Sequence, residues 1–177
     1  MTPLPVSVSW ALAAVVLAAA LSDLRSRSIP NWLTLGGILL GFAINFYAAG
    51  LAGLKTAGLG FLASLLFLIP FLLGFLGGGD VKLMAAVGTF AGPANLLVVF
   101  VLDAILGGIV ALIGVIVRGR VRRTLLNIGQ ILRLLAQGKA PYKESAELEA
   151  GNEASFGMPR AVTIALAALL LIWGSRP

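Results

Sequence analysis

The chain has 177 residues, of which 59% are hydrophobic and 11% are charged. An average soluble domain is about half apolar and a quarter charged, and here the apolar residues are gathered into runs long enough to cross a bilayer. This pattern excludes a soluble globular protein and a disordered one. The 13 basic and 7 acidic residues give a net charge of +6. Most of the basic residues flank apolar runs, so the charge indicates membrane topology, and we expect no nucleic-acid partner.

The apolar runs predict an all-α, polytopic membrane protein with about six transmembrane helices in a single domain, residues 1–177. The predicted spans are 6–22, 31–49, 56–76, 80–91, 94–117 and 158–174. No basic residue precedes the first run, so we interpret it as a retained helix rather than a signal peptide. The fourth run is about half a span long. It is either a short helix or continuous, through a kink, with the fifth.

The connections between the predicted spans are short, with one exception. We expect a polar connection from Asp23 to Pro30, a turn from Gly50 to Lys55, a kink at Pro70 and a glycine break just before Asp80. The exception is the loop 118–157, which begins with Arg118, Arg120, Arg122 and Arg123 and continues with leucines and isoleucines at helical spacing. This pattern predicts a basic amphipathic helix on the membrane surface, and we expect its arginines to hold anionic lipid.

The positive charges also predict the orientation of the chain. Arginines follow the first and fifth spans, and cytoplasmic loops carry the excess of basic residues. The connection after the first span and the loop 118–157 are therefore expected inside, and both termini outside. Asp23 and Asp80 then end on the same, cytoplasmic face.

Acidic residues in or beside a span are costly and usually face a bundle interior or a water-filled cavity. Two carboxyl groups brought together can share a proton, because their repulsion keeps one protonated while the other stays ionised. Such a pair can activate a water for attack on an amide and return a proton to the leaving amine. Taken separately, however, each aspartate could be no more than a helix N-cap, and the nearby basic residues no more than topology determinants.

Two longer motifs favour a catalytic role for Asp23 and Asp80. Residues 22–31, Ser-Asp-Leu-Arg-Ser-Arg-Ser-Ile-Pro-Asn, resemble the D-x-[RK]-x-x-x-I-P-N segment of type IV prepilin peptidases. Residues 77–84, Gly-Gly-Gly-Asp-Val-Lys-Leu-Met, are similar to the G-x-G-D-[VF]-K-[LM] segment of the same family. Residues 156–159 are similar to its short, proline-containing start of the final helix. The resemblance covers essentially the whole chain.

The resemblance implies an intramembrane aspartyl endopeptidase that removes the short basic leader of type IV or Flp-type prepilins. The reaction would take place at the cytoplasmic face of the bacterial inner membrane. The catalytic residues would be Asp23 and Asp80. The supporting residues of the active-site loops would be Arg25, Arg27, Pro30, Asn31, Gly77, Gly79 and Lys82.

The chain also departs from the larger family members, which carry a cysteine-containing cytoplasmic insertion near the N-terminus and methylate the new N-terminus of the product. The sequence has no cysteine, so we expect the short, peptidase-only form that serves tight-adherence (Flp-type) pili. It has no histidine either, and we expect no metal and no cofactor. Asp103, inside the fifth run, matches nothing in the catalytic pattern. We interpret it as a structural partner of a basic or polar group.

Three further hypotheses remain open. A run of acidic residues in the loop, Glu144, Glu147, Glu149 and Glu153, could dock a basic leader, although an ordinary solvated loop is the simpler interpretation. A small proton- or cation-coupled transporter would use the three aspartates as an ion path. A non-catalytic assembly subunit would use them structurally. The two motifs disfavour the transporter and the assembly subunit.

Overall fold

The computed structural model describes residues 2–73, 76–117 and 160–175, together with Gly119 and Leu126. Within these ranges the chain is helical and has no strand. The helices are α1 (Val6–Ser26), α2 (Asn31–Ser64), a 3-10 turn (Leu65–Phe67), α3 (Leu68–Leu72), α4 (Gly78–Val117) and α5 (Arg160–Gly174). The amphipathic helix predicted in 118–157, its arginines, the acidic run and the motif at 156–159 lie outside the described residues.

Three helical stretches are long and apolar enough to cross a membrane among the residues that the structure describes. They are Val6–Ser26, Asn31–Leu72 and Gly78–Val117. Many of their large apolar side chains are exposed, as expected for helices that face lipid. The prediction of an all-α membrane protein is confirmed at this level.

The described residues fall into two compact units. The first contains the residues up to Gly107 together with α5, and the second contains those from Gly108 to Leu126. In the second unit, α4 runs on to Val117 with large apolar side chains exposed, among them Leu112 and Ile116. Every residue of the candidate site described below belongs to the first unit.

Helix α2 reverses direction near its middle. Ala49 and Gly50 have non-helical backbone angles, with φ of 59° at Gly50, a conformation that glycine adopts at little cost. The rings of Phe42 and Phe61 lie 6.2 Å apart, whereas a straight helix would separate these positions by about 28 Å. The Gly50–Lys55 segment, predicted as a turn, is therefore helical after Gly50. The reversal of direction involves only Ala49 and Gly50.

Helix α4 also reverses, at Gly92, where φ is 75° and ψ is 173°. Pro93 has no N–H to offer the carbonyl of Thr89 one helical turn earlier. The buried side chain of Asn45 replaces the missing donor, because its Nδ2 lies 2.8 Å from the carbonyl oxygen of Thr89 and 3.2 Å from that of Phe90. The fourth and fifth predicted spans are therefore two helical segments that join directly at Gly92, and the fourth is a short helix.

Helices α2 and α4 come into backbone contact where both have glycine. A Cβ at Gly60 would overlap the carbonyl oxygen of Gly88, and a Cβ at Gly41 would overlap the side chain of Thr89. This close approach holds the two reversed helices together without large side chains between them.

The core of the first unit lies where α1, α4 and α5 meet, and α5 packs along α1. Its fully or nearly fully buried side chains include Leu12, Val16, Leu83, Val87, Phe90, Ile164, Ala168 and Leu171. The face that α5 turns inward is rich in alanine, which lets its axis lie close to its neighbours. As a result, the start of α5 lies against the end of α1 and the start of α4.

Two predicted boundaries next to the acids are wrong. Helix α1 continues to Ser26, so Asp23 lies in its last turns and not in a polar connection. Gly78 and Gly79 form the first turn of α4 instead of a break before Asp80, because the Asp80 carboxylate caps that turn.

The third predicted span, 56–76, also differs in detail. Its α-helix gives way to the 3-10 turn at Leu65–Phe67 and continues as α3 to Leu72. The tighter turn comes directly before the helix that contains Pro70, whose missing N–H and ring disturb the preceding turn.

Candidate active site

Asp80 lies in the first turn of α4 and is 8% exposed. Its Oδ2 accepts a hydrogen bond of 3.3 Å from the backbone N–H of Gly77. The backbone N–H of Asp80 donates in turn to the carbonyl of Gly77 at 3.1 Å. This is the arrangement in which an acidic residue three positions into a helix caps the residue that begins it. The cap fixes the Asp80 carboxylate at the helix N-terminus, where negative charge is favoured.

The start of α5 supplies a charged partner for the same carboxylate. Nη1 of Arg160 lies 3.7 Å from Oδ2 of Asp80, within ion-pair distance. The Arg160 side chain is about half exposed, whereas that of Asp80 is largely buried. The ion pair therefore joins a buried acid to a guanidinium at the surface of the described structure.

The next residue of α5 holds the other acid. The backbone N–H of Ala161 donates a hydrogen bond of 3.0 Å to Oδ2 of Asp23. This N–H belongs to the first turn of α5, where helix N–H groups have no partner within the helix. Two consecutive residues of α5 therefore contact the two predicted catalytic acids. Asp23 and Asp80 also interact electrostatically with each other.

A third acid approaches from the second half of α4. Asp103 interacts electrostatically with Arg160, and the hydroxyl of Thr163 lies within hydrogen-bonding reach of its carboxylate. Thr163 Oγ1 also donates to the carbonyl of Arg160 at 2.9 Å. These are a basic and a polar neighbour of the kind expected for Asp103 from the sequence.

The reversal at Gly92 brings Asp80 and Asp103 to the same place. Along a straight helix they would lie about 35 Å apart, yet both interact with Arg160. All three aspartates of the sequence therefore surround the first turn of α5.

Two of the predicted supporting residues contact each other. Nζ of Lys82 donates a hydrogen bond of 2.8 Å to Oδ1 of Asn31. This bond ties the second turn of α4 to the first residue of α2. Next to it, a Cβ at Gly79 would meet the side chain of Ile29 at 3.6 Å, so Gly79 packs against the loop that follows α1.

The loop after Asp23 is held mainly by its serines. Ser22 Oγ donates to the carbonyl of Ser28 at 3.1 Å, and Ser26 Oγ donates to the carbonyl of Ser22 at 2.8 Å. Arg27 ends α1 in the left-handed conformation, with φ of 50°. Pro30 precedes α2, and its carbonyl accepts the N–H of Leu33 at 3.1 Å.

Arg25, in the last turn of α1, and Arg27, which ends this helix, are both exposed. No hydrogen bond or ion pair of the Arg25 or Arg27 side chain is found among the residues that the structure describes. Their predicted role in shaping the loop stays a prediction. What the structure shows is the helical position of Arg25, the backbone conformation of Arg27 and the serine hydrogen bonds around them.

Within the described ranges 2–73, 76–117 and 160–175, no group of three or more carboxylate, histidine or cysteine side chains is arranged to hold a metal ion. Asp80 and Asp103 interact with the guanidinium of Arg160, and Asp23 accepts the backbone N–H of Ala161. Their arrangement is that of acids paired with donors and a cation of the protein itself.

The sequence model of the type IV leader peptidase family matches residues 10–112, which include both motifs. The chain belongs to the type IV leader peptidase family. It is 32% identical over 126 residues to a prepilin leader peptidase/N-methyltransferase of Legionella pneumophila. It is 33% identical over 122 residues to one of Burkholderia pseudomallei strain 1026b. No solved structure is significantly similar to the chain.

The two alignments with these leader peptidases cover 67% and 64% of this chain and 44% and 39% of the relatives. The chain therefore spans less than half the length of the curated relatives it matches. The match to the family ends before α5 begins. The residues of α5 that contact the acids thus lie beyond the part that the family model matches.

Sequence reasoning missed Arg160, Ala161 and Thr163. One indication was present in the sequence, since Arg160 begins the last apolar run directly after the motif at 156–159. Asp103 was a second indication, because an acid inside a span requires a partner. Neither feature predicts that Arg160 and Asp103 interact, because their interaction depends on how α5 packs.

Proposed function

We propose that this chain is an intramembrane aspartyl endopeptidase that uses Asp23 and Asp80 to remove the basic leader of prepilins. The observation that carries the proposal is the placement of both acids against Arg160 and Ala161, consecutive residues at the start of α5. Two carboxylates from distant segments are rarely gathered at one site without a purpose, because each repels the other. Membership of the family and the two motifs support the same conclusion.

The proposed mechanism needs only the two carboxyl groups and a water. The ionised member takes a proton from the water, whose oxygen attacks the carbonyl carbon of the scissile amide. The tetrahedral intermediate then collapses as the carbon–nitrogen bond breaks, and the leaving amine receives a proton from the other carboxyl group. The fixed positions of the acids reduce the entropic cost of bringing water, amide and both acids together.

The substrate is proposed to be a prepilin, with a short basic leader followed by a hydrophobic helix that lies alongside the spans. The curated relatives are prepilin leader peptidases and N-methyltransferases by name. Among prepilins we expect the Flp-type, as the resemblance to the short form of the family implies. Cleavage is expected after a small residue such as glycine, and methylation of the product is not.

We also propose a membrane arrangement of six spans with the active site on the cytoplasmic side of the inner membrane. The reversals at Gly50 and Gly92 divide α2 and α4 into two helical segments each, which supports this number. The positions of the basic residues support an outside location for both termini and a surface helix that binds anionic lipid through the arginines from Arg118 to Arg123. Cysteine-accessibility labelling at single sites in the cysteine-free sequence tests the orientation.

The test of the catalytic proposal is cleavage of a model peptide in liposomes, read by mass spectrometry. The peptide has a basic leader, a glycine and a hydrophobic helix. The wild-type chain is compared with Asp23→Asn and Asp80→Asn, which nearly preserve shape and remove the charge. We expect cleavage after the glycine by the wild type and none by either variant. Circular dichroism and thermal unfolding of each protein confirm that the variants are folded.

Other outcomes would contradict the proposal in different ways. Cleavage that survives either substitution means that the acid concerned is structural and that the catalyst lies elsewhere. If the folded wild type cleaves none of several leader peptides, the result favours a proton- or cation-coupled transporter or a non-catalytic assembly subunit. Proton or cation flux in the same liposomes, dependent on Asp103, then distinguishes the transporter from the assembly subunit.

A further inference from the structure

The ion pair between Arg160 and Asp80 joins elements that are distant in the sequence and lie at the candidate site. Asp103 also interacts electrostatically with Arg160. A guanidinium that is attracted by two carboxylates is held more firmly than one attracted by a single acid, because both charges favour the same position. Each half of α4 therefore contributes an acid that interacts with Arg160.

Asp103 shows why this arrangement is more than a surface ion pair. Its Oδ1 is buried and has no hydrogen-bond partner among the residues that the structure describes. A buried, unpaired carboxylate oxygen costs free energy that a neutral apolar residue would not. The guanidinium of Arg160 offsets the negative charge of Asp103. A role of Asp103 in holding Arg160 in place would explain why a buried acid is present here.

The first turn of α5 completes this arrangement. Thr163 lies within hydrogen-bonding reach of Asp103, and its hydroxyl also donates to the carbonyl of Arg160. The same turn presents the N–H of Ala161 to Asp23. A displacement of this turn would therefore change the positions of both acids at once.

We propose that Arg160 is a positioning residue of the peptidase: anchored by Asp103, its guanidinium holds the Asp80 carboxylate beside Asp23. The proposal rests on the proposed function of the two acids and adds a residue outside both family motifs. It assigns to Asp103 the role of an anchor for Arg160, not that of a third catalytic acid.

The test compares Arg160→Gln, which removes the charge, with Arg160→Lys, which keeps it. Lys55→Gln is the matched control, since Lys55 is an exposed basic residue on α2. We expect Arg160→Gln to lower kcat by about tenfold or more with little change in KM, because misplacement of a catalytic group affects the chemical step. Arg160→Lys should recover part of the loss, and Lys55→Gln should match the wild type.

The pH profile separates positioning from a general loss of stability. Among the residues that the structure describes, the charged groups that act on Asp80 are Asp23 on α1, Asp103 on α4 and Arg160 on α5. Loss of the guanidinium makes the ionised form of Asp80 less favourable, so the pH optimum of Arg160→Gln should move to higher pH. This direction is the same whether Asp80 acts as the base or as the acid. An unchanged profile together with unchanged kcat overturns the proposal.

Asp103→Asn tests the anchor. We expect a smaller loss of kcat in the same direction, and a double variant Asp103→Asn/Arg160→Gln no worse than Arg160→Gln alone, because one residue acts through the other. Losses that multiply in the double variant would show that Asp103 acts independently of Arg160.

A measurement without turnover keeps this proposal separate from the proposed function. Carbodiimide reacts with protonated carboxyl groups, and mass spectrometry locates the adduct on Asp80. Labelling of Asp80 should be faster in Arg160→Gln than in the wild type, and Arg160→Lys should stay close to the wild type. If the wild type cleaves and neither labelling nor kinetics respond to Arg160, only this proposal fails. If the wild type does not cleave, the labelling rate still decides whether Arg160 controls Asp80.

Discussion

The backbone N–H of Ala161 donates a 3.0 Å hydrogen bond to Oδ2 of Asp23. The backbone of α5 thereby holds a carboxylate that belongs to α1. The bond needs no particular side chain at position 161, so it cannot be recognised as a motif. It can nevertheless be removed without removing the acid.

Ala161→Pro removes this donor and keeps the helix, because proline is tolerated in the first turn. We expect kcat/KM to fall by about tenfold, since hydrogen bonds to charged groups contribute ~1.5–3 kcal/mol. Peptide cleavage in liposomes measures the effect. Val162→Pro is the control, because in the structure its N–H does not donate to Asp23. Equal losses in the two variants would assign the effect to the helix and not to the bond.

The contact between Gly60 and Gly88 predicts a selective effect on stability. A Cβ at Gly60 would overlap the carbonyl oxygen of Gly88, whereas a Cβ at Gly58 meets nothing within 4 Å. Gly60→Ala should therefore destabilise the protein by about 1–3 kcal/mol through overpacking. Gly58→Ala should be neutral or stabilising, because alanine favours the helix by ~1 kcal/mol over glycine. Thermal unfolding in detergent measures both, and equal Tm values would contradict the close approach of α2 and α4.

The hydrogen bonds of Asn45 at the reversal of α4 predict a second effect on stability. Asn45→Ala leaves the carbonyls of Thr89 and Phe90 without this donor and should cost about 1–3 kcal/mol. Tyr47→Phe is the control, since it removes a hydroxyl from a side chain that is 85% exposed on the same helix. Chemical unfolding should show a loss only for Asn45→Ala. A loss of the same size in Tyr47→Phe would mean that the method does not resolve the reversal.

The conformation of Arg27 predicts opposite effects of glycine at two neighbouring arginines. Arg27 has φ of 50°, a conformation that costs a non-glycine residue ~1 kcal/mol, so Arg27→Gly should stabilise the fold slightly. Arg25 is within helix α1, and Arg25→Gly should destabilise it by about 1 kcal/mol. Unfolding midpoints compare the two variants. If Arg27→Gly is the more destabilising, the Arg27 side chain makes a contact that outweighs its backbone strain.

The gathering of Asp23 and Asp80 could be predicted from sequence, because each acid borders an apolar run and the runs alternate in direction. Helix boundaries next to these acids could not be predicted as well. A carboxylate at Asp80 that caps its own helix makes Gly78 and Gly79 helical, although glycine-rich segments usually interrupt helices. The extension of α1 to Ser26 likewise could not be predicted, because polar residues after an apolar run do not show where the helix ends.

The role of α5 at the site could not be predicted, because it depends on packing. Arg160 is one basic residue at the start of an apolar run, and its position alone would suggest only topology. Asn45 shows the same limit. It is a polar residue inside a predicted span, and its partners at Thr89 and Phe90 become apparent only when α2 lies against the reversal in α4.

The reversal at Gly92 has a consequence for the bilayer itself. At ~1.5 Å per residue, the part of α4 from Gly78 to Ala91 is about 21 Å long. It is shorter than a hydrocarbon core of ~30 Å, and it begins where the three aspartates meet. Hydrophobic mismatch of this kind is relieved by local thinning of the lipid. A dimple in the membrane above the acids would let water reach a peptide bond that a bilayer of full thickness would keep dry.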